Sequence, residues 1–123
     1  YSAKICAELY SKATGVKISA AELMRAAERA WNVFKAVNVR EGFTRAHDKI
    51  PEHWFEPLRF EGGVATLMDY YRTKELSKDD LGKMLDDYYD ERGWDVKKGI
   101  PTKQKLLELG LDDIAEDLER MGE

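Results

Sequence analysis

The chain has 123 residues, 43% of them hydrophobic and 36% charged, which fits a small globular protein with one modest core and excludes a disordered chain. Its net charge is −4, and its 20 cations are interleaved with 24 acidic residues, so a nucleic-acid surface built on clustered Lys and Arg is not expected. No apolar run nears the ~20 residues of a bilayer span and no signal-peptide pattern opens the chain, so the expectation is a cytoplasmic protein.

Ser2 to Thr14 carries Ile5, Cys6, Leu9, Tyr10 and Ala13 at helical spacing, and Gly15 supplies the usual left-handed stop. Cys6 is the only cysteine. It excludes an internal disulfide, cannot alone hold zinc or an iron–sulfur cluster, and is expected to be a small packed side chain. The brief connector Val16 to Ile18 implies an antiparallel pair of helices, with Leu9 and Tyr10 covering Leu23 and Trp31.

Ser19, with Glu22 three residues on, is a capping box that opens the next helix at Ala20. Leu23, Ala26, Ala30, Val33 and Val37 fall on one stripe, and Met24, Ala27, Trp31 and Phe34 on the stripe beside it. This half is expected to face inward, with Arg25, Glu28, Arg29, Asn32, Lys35 and Ala36 facing water. Asn38 and Glu41 fall on the inward half. Glu41 stands at the helix C-terminus just before Gly42, where the dipole disfavours an anion, so a cation such as Arg40 or Arg45 is expected beside it. Two readings follow. Glu41 and an arginine form a structural ion pair, or Asn38, Arg40, Glu41 and Arg45 face a cavity or a neighbouring domain.

From Phe43 to Gly63 the periodicity stops, and Pro51, Pro57, Gly62 and Gly63 punctuate a long irregular crossing whose Ile50, Trp54, Phe55, Leu58 and Phe60 need burial. Leu67, Met68 and Tyr71 suggest a short helix over 64–73. Ser77 with Asp80 caps the next, which turns Leu81, Met84, Leu85 and Tyr88 inward until Gly93 and leaves Asp86, Asp87, Asp90 and Glu91 as a solvated face. Pro101 and Thr102 start a helix that ends at Gly110, and Asp112 caps the last, with Ile114, Ala115, Leu118 and Met121 inward. The fold class expected is therefore all-α: a single domain over 1–123, of five or six helices with one irregular crossing over 43–63.

Reactive motifs are few. His47 and His53 lack a third convergent ligand and read as surface or interface residues. Gly62-Gly63 has neither the spacing nor the following Lys-Ser/Thr of a phosphate loop, and no serine-nucleophile signature occurs. Trp31, Trp54 and Trp94 read as core or interface anchors. The Asp-Tyr-Tyr copies at 69–71 and 87–89 are too few for a repeat array. A start at Tyr1 without methionine suggests a piece of a longer protein.

Several stretches carry a resemblance. Glu28-Arg29-Ala30-Trp31-Asn32 followed by Asn38-Val39-Arg40-Glu41-Gly42-Phe43-Thr44-Arg45 resembles the C-terminal helical region of the tungsten-containing aldehyde ferredoxin oxidoreductase family. His47-Asp48-Lys49-Ile50-Pro51, Tyr88-Tyr89-Asp90-Glu91-Arg92-Gly93-Trp94-Asp95, Gly99-Ile100-Pro101-Thr102 and Leu106-Leu107-Glu108-Leu109-Gly110-Leu111 continue it in family order over nearly the whole chain.

The resemblance implies the C-terminal part of an enzyme that oxidises aldehydes to carboxylic acids at a tungsten bis-pterin centre and passes electrons through a [4Fe-4S] cluster to ferredoxin. It also implies that pterin binding, the cluster's cysteines and the catalytic acid and histidine lie elsewhere in the parent. The piece would then be inactive alone and bind no cofactor itself. It would wall the cavity, with Asn38, Arg40, Glu41 and Arg45 toward the cofactor or the remaining domains. Cys6 lacks the family's glycine and aspartate setting, so no ligand role carries to it. Two alternatives stand: a related tungsten enzyme such as an aromatic acyl-thioester reductase subunit, and a non-enzymatic helical module that binds a protein through Trp54, Phe55 and Phe60.

Overall fold

Helix starts follow the hydroxyl residues that the sequence supplies. In the computed structural model, which describes residues 2–122, α1 spans Ala3–Thr14; the Ser2 hydroxyl accepts from the Ile5 N–H, and Gly15 ends the helix at φ 75°. Helix α2 spans Ala20–Arg40 with the Ser19/Glu22 box reciprocally formed. Bonds from the Ser19 hydroxyl and N–H hold the Glu22 carboxyl below its ordinary range. Ser77 and Asp80 repeat the device at α3, Lys78–Glu91. Thr102 caps α4, Lys103–Glu108. The last helix, α5, spans Asp112–Arg120; its N-cap position is Leu111 rather than Asp112, and Asp112 and Asp113 lie in the first turn, where they complement the dipole. Five helices make the fold all-helical in class, and none is long and apolar enough to cross a membrane.

Two details depart from the expected outline. The 43–63 crossing holds two 3₁₀ turns, Arg45–His47 and Glu52–Phe55, and the strand β1, Leu58–Phe60. β1 pairs antiparallel with β2, Gly63–Ala65, with Leu58 opposite Ala65 and Phe60 opposite Gly63. No helix forms over 64–73. There the Asp69 carboxylate accepts from the backbone N–H of Thr73 and Lys74 and from the Thr73 hydroxyl, and Met68 bridges Glu75. Such side-chain bonds offer the backbone a turn in place of a helix.

The chain divides into two compact units, one running through Gly42 and resuming at Pro101, the other Phe43–Ile100. In the first, α5 packs on α4 and α2, and α1 packs on α2. Its buried apolar residues are Ala7, Ala36, Val39, Pro101 and the leucine set Leu106, Leu109, Leu111 and Leu118, with Ala115. In the second, Tyr89, Trp94 and Ile100 are buried.

Helix α2 faces the opposite way from its apolar pattern. Asn32, Lys35, Ala36 and Val39 are its buried residues, whereas Met24, Trp31, Val33, Phe34 and Val37 are exposed. The reason lies at the C-terminus of α4, whose last carbonyls lack intrahelical partners. Arg25 donates to the Glu108 carbonyl at 2.7 Å and Arg29 to the carbonyls of Leu109 and Gly110, while Glu28 pairs with Lys105 at 3.0 Å. Those bonds require the polar side of α2 to be the packed one. Leu9 and Tyr10 on α1 are exposed too, and Ala7 is the buried residue of that helix. Cys6, expected to be packed, is exposed and free.

Candidate functional site

The four singled-out residues sit on different units. Asn38, Arg40 and Glu41 belong to the end of α2, and Arg45 belongs to the second unit. Asn38 is half-buried and Glu41 exposed. Glu41 occupies the C-cap position, where its backbone N–H bonds to the Val37 and Val39 carbonyls. Its carboxylate makes no ion pair with a described residue of its own unit, so the pairing expected with Arg40 does not form. Arg40 instead lies 3.9 Å from the Asp117 carboxylate with 59% of its side chain exposed, and Asp117 is also held by Arg120. An anion at a helix C-terminus is disfavoured by about 0.3–1 kcal/mol, and the one cation in the last turn, Arg40, is turned to Asp117.

Arg45 is the centre of a denser arrangement. Its backbone N–H donates to the Lys98 carbonyl at 2.8 Å. The guanidinium donates to the Val96 carbonyl at 2.8 Å, pairs with Asp86 at 2.5 Å and lies 5.2 Å from the centroid of the Tyr89 ring. The Tyr89 hydroxyl donates to the Asp48 carboxylate. Tyr89 is 1% exposed, and burial, then the bond to Asp48, push its hydroxyl well above the ordinary tyrosine range. Trp94 lies 5.8 Å from both Tyr88 and Tyr89, and Arg92 stacks over Tyr88.

The loop after Trp94 exists to reach this knot. The Asp95 side chain accepts from the N–H of Lys97 and Lys98, and Gly99 turns the chain at φ 70°. A Cβ on Gly99 would lie 2.9 Å from the Tyr89 hydroxyl oxygen. Only glycine lets the backbone approach the ring so closely.

This geometry fixes and orients; it carries no nucleophile with an adjacent base. The residues that sequence reasoning missed are Tyr89, Asp48, Asp86 and Gly99. In the sequence Asp86 reads as part of a solvated acidic face, and Tyr89 lies one position past the inward stripe through Met84 and Tyr88. Met84 is exposed, so the helix is rotated from that stripe. The signal available was Gly99, two residues ahead of Pro101, a residue suited to a tight turn and a close backbone approach. His47, expected at a surface or interface, accepts the Thr44 N–H at 3.0 Å through Nδ1 and tilts against Phe43.

A second surface lies on the first unit. Met24, Ala27, Trp31 and Phe34 line the outward side of α2, with Trp31 and Phe34 stacked at 5.8 Å and 17°.

A family model described as aldehyde ferredoxin oxidoreductase, domains 2 & 3, matches residues 1–111. Among solved structures, the active site complex BamBC of benzoyl coenzyme A reductase in complex with 1,5-dienoyl-CoA contains a similar chain. The TM-score is 0.75 at 25% sequence identity, over 99% of this chain and 16% of that chain. This chain therefore spans about one sixth of the length of the protein it matches.

Proposed function

The chain belongs to the aldehyde ferredoxin oxidoreductase family, in the part described as domains 2 and 3, and from that premise we propose that it is the C-terminal helical part of a tungsten-pterin oxidoreductase. The parent oxidises an aldehyde to a carboxylate in the cytoplasm and passes the electrons through a [4Fe-4S] cluster to ferredoxin. This part walls the buried cavity and is inactive alone. Asn38, Arg40, Glu41 and Arg45 face the cofactor or the remaining domains.

The observation that carries the reading is the end of α2. Glu41 holds a charge that its own helix disfavours and that no described cation of its own unit pairs with, and Arg40 beside it keeps a largely exposed guanidinium with one loose contact. Such groups are suited to a surface that is completed by another body.

The residues present do not fit the metal groups themselves. A [4Fe-4S] cluster takes four thiolates, and this chain has one cysteine. No group of three His, Cys, Asp or Glu side chains able to hold a metal occurs among the described residues. No chemical step is therefore assigned to this chain. Its contribution is to shape and dry a site whose reactive atoms are held elsewhere.

The test is made in the full-length parent. Arg40→Gln and Glu41→Gln are each expected to lower tungsten content or turnover by about tenfold or more, the usual range for groups that orient a metal site from outside its ligand shell. Unchanged values in both variants would leave these residues a purely structural role.

A second reading is supported by the reductase match: the parent acts on an aromatic acyl thioester instead of an aldehyde. Turnover of the same parent on the two substrate classes separates the readings.

A further inference from the structure

The second unit begins with a short turn whose geometry depends on one imidazole. Thr44 stands before the 3₁₀ turn Arg45–His47, and its backbone N–H donates to His47 Nδ1 at 3.0 Å. In return the His47 N–H donates to the Thr44 carbonyl at 2.9 Å, and the Asp48 N–H donates to the Arg45 carbonyl at 3.0 Å. The Phe43 ring lies against the imidazole, 5.2 Å between centroids. A backbone N–H can only donate, so Nδ1 has to be bare and the imidazole neutral, with its proton on Nε2. A charged imidazole carries N–H at both positions and accepts nothing. It sets donor against donor at Thr44. The Thr44 hydroxyl, 3.4 Å from Nδ1, can accept from the charged ring, but the Thr44 N–H has then lost its acceptor.

What this turn presents is Arg45. From here its N–H reaches the Lys98 carbonyl, and its guanidinium reaches the Val96 carbonyl, Asp86 and the Tyr89 ring. We propose that the Thr44–His47 turn is an acid-released latch that holds Arg45 in the Tyr89 knot, with His47 as its proton-sensitive part. The charged and titratable groups around the turn are Arg45, Asp48 and Lys49 on the same stretch, Asp86 and Tyr89 on α3, and Lys98 on the loop that Arg45 meets. Carboxylates ordinarily titrate near ~4, and tyrosine and lysine near ~10 or above. Between about pH 5.5 and about pH 8, only imidazole among these side chains ordinarily changes charge. The His47 ring is exposed, so solvent protons reach it directly. The bond from Thr44 is complete while the ring is neutral and is lost as pH falls.

The experiment is hydrogen exchange of the full-length parent at about pH 8 and about pH 5.5, each amide referred to its unstructured rate at the same pH. Protection of 43–48 is expected to fall about fivefold on acidification, as for the loss of one hydrogen bond, and that of 94–100 by at least about twofold. Helix α4 serves as the reference that stays unchanged. In His47→Asn the side-chain Oδ1 is bonded to Cγ as Nδ1 is, and it accepts at either pH. This variant is expected to keep the protection of the unmodified protein at pH 8 and to show no fall at pH 5.5. His53→Asn, which changes the other histidine, is expected to leave the fall in place. Protection independent of pH in the unmodified protein would overturn the proposal, as would a fall that survives in His47→Asn. A fall confined to 43–48 would overturn the claim that the latch holds the knot. None of these readouts depends on turnover, so the latch can stand or fail whatever the parent oxidises.

Discussion

The two units are held by different kinds of force. In the unit formed by α1, α2, α4 and α5, a row of leucines and alanines is buried, and arginines from one helix satisfy the end of another. In the Phe43–Ile100 unit only one α-helix forms, and irregular segments are tied by a few directed bonds to Tyr89, Arg45, Asp69 and Asp95. Burial of apolar area is spread over many contacts and tolerates loss of any one, whereas a knot of directed bonds fails where it is cut. The first unit should therefore respond to mutation by degrees and the second at a few positions sharply.

The largest expected effect cuts the knot. Gly99→Val forces a side chain into the Tyr89 hydroxyl and into a left-handed backbone conformation, for a cost of about 3 kcal/mol. Gly42→Ala, also at positive φ but with nothing within 4 Å of its Cβ, should cost about 1 kcal/mol. Hydrogen exchange of the 94–100 and 39–43 segments in the full-length protein checks the pair. Equal losses would erase the distinction between the units.

Next is Arg29→Ala, which leaves the Leu109 and Gly110 carbonyls without their donor. Hydrogen bonds from charged groups contribute about 1.5–3 kcal/mol, and faster exchange across 106–111 should report it, with the leucine core left in place.

Tyr89→Phe should cost about 1 kcal/mol at neutral pH through the lost bond to Asp48. It should also change the pH response. The folded state holds the Tyr89 proton more firmly than the unfolded chain does, so this contribution is complete below the unfolded value of ~10 and is lost as pH rises beyond it. Lys105, raised chiefly by its bond to Glu28, weakens the other unit in the same alkaline direction. In the Tyr89→Phe variant, alkaline loss of protection should flatten in the Tyr89 knot and persist around Lys105.

Smallest is Lys103→Gln, which breaks an exposed pair with Glu119 at 2.7 Å. A change of at most about 0.5 kcal/mol is expected, and a larger one would mean that surface pairs hold the first unit more than its leucines do.

The helix ends were legible because their causes are local. Ser19 with Glu22, Ser77 with Asp80, and Gly15 with Gly93 act within a few residues, and the structure forms each of these boundaries where the spacing puts it. The 64–73 segment misled because Leu67, Met68 and Tyr71 have helical spacing, while the Asp69 carboxylate closes a turn across the same residues. The rotation of α3 was hidden for a similar reason: Tyr88 and Tyr89 are equally apolar, and only Asp48, Arg45 and Gly99, distant in sequence, decide which is enclosed.

The sequence by itself determined where the five helices that form lie, the Ser19 and Ser77 caps, the apolar stripe on α2 and the family. The tertiary structure alone decided which side of α2 is packed and which aromatic ring is buried. Periodicity records that a helix has two unlike faces, because side-chain direction repeats every 3.6 residues. It does not record what each face meets, since that depends on groups eighty residues away, such as the α4 carbonyls to which Arg25 and Arg29 donate.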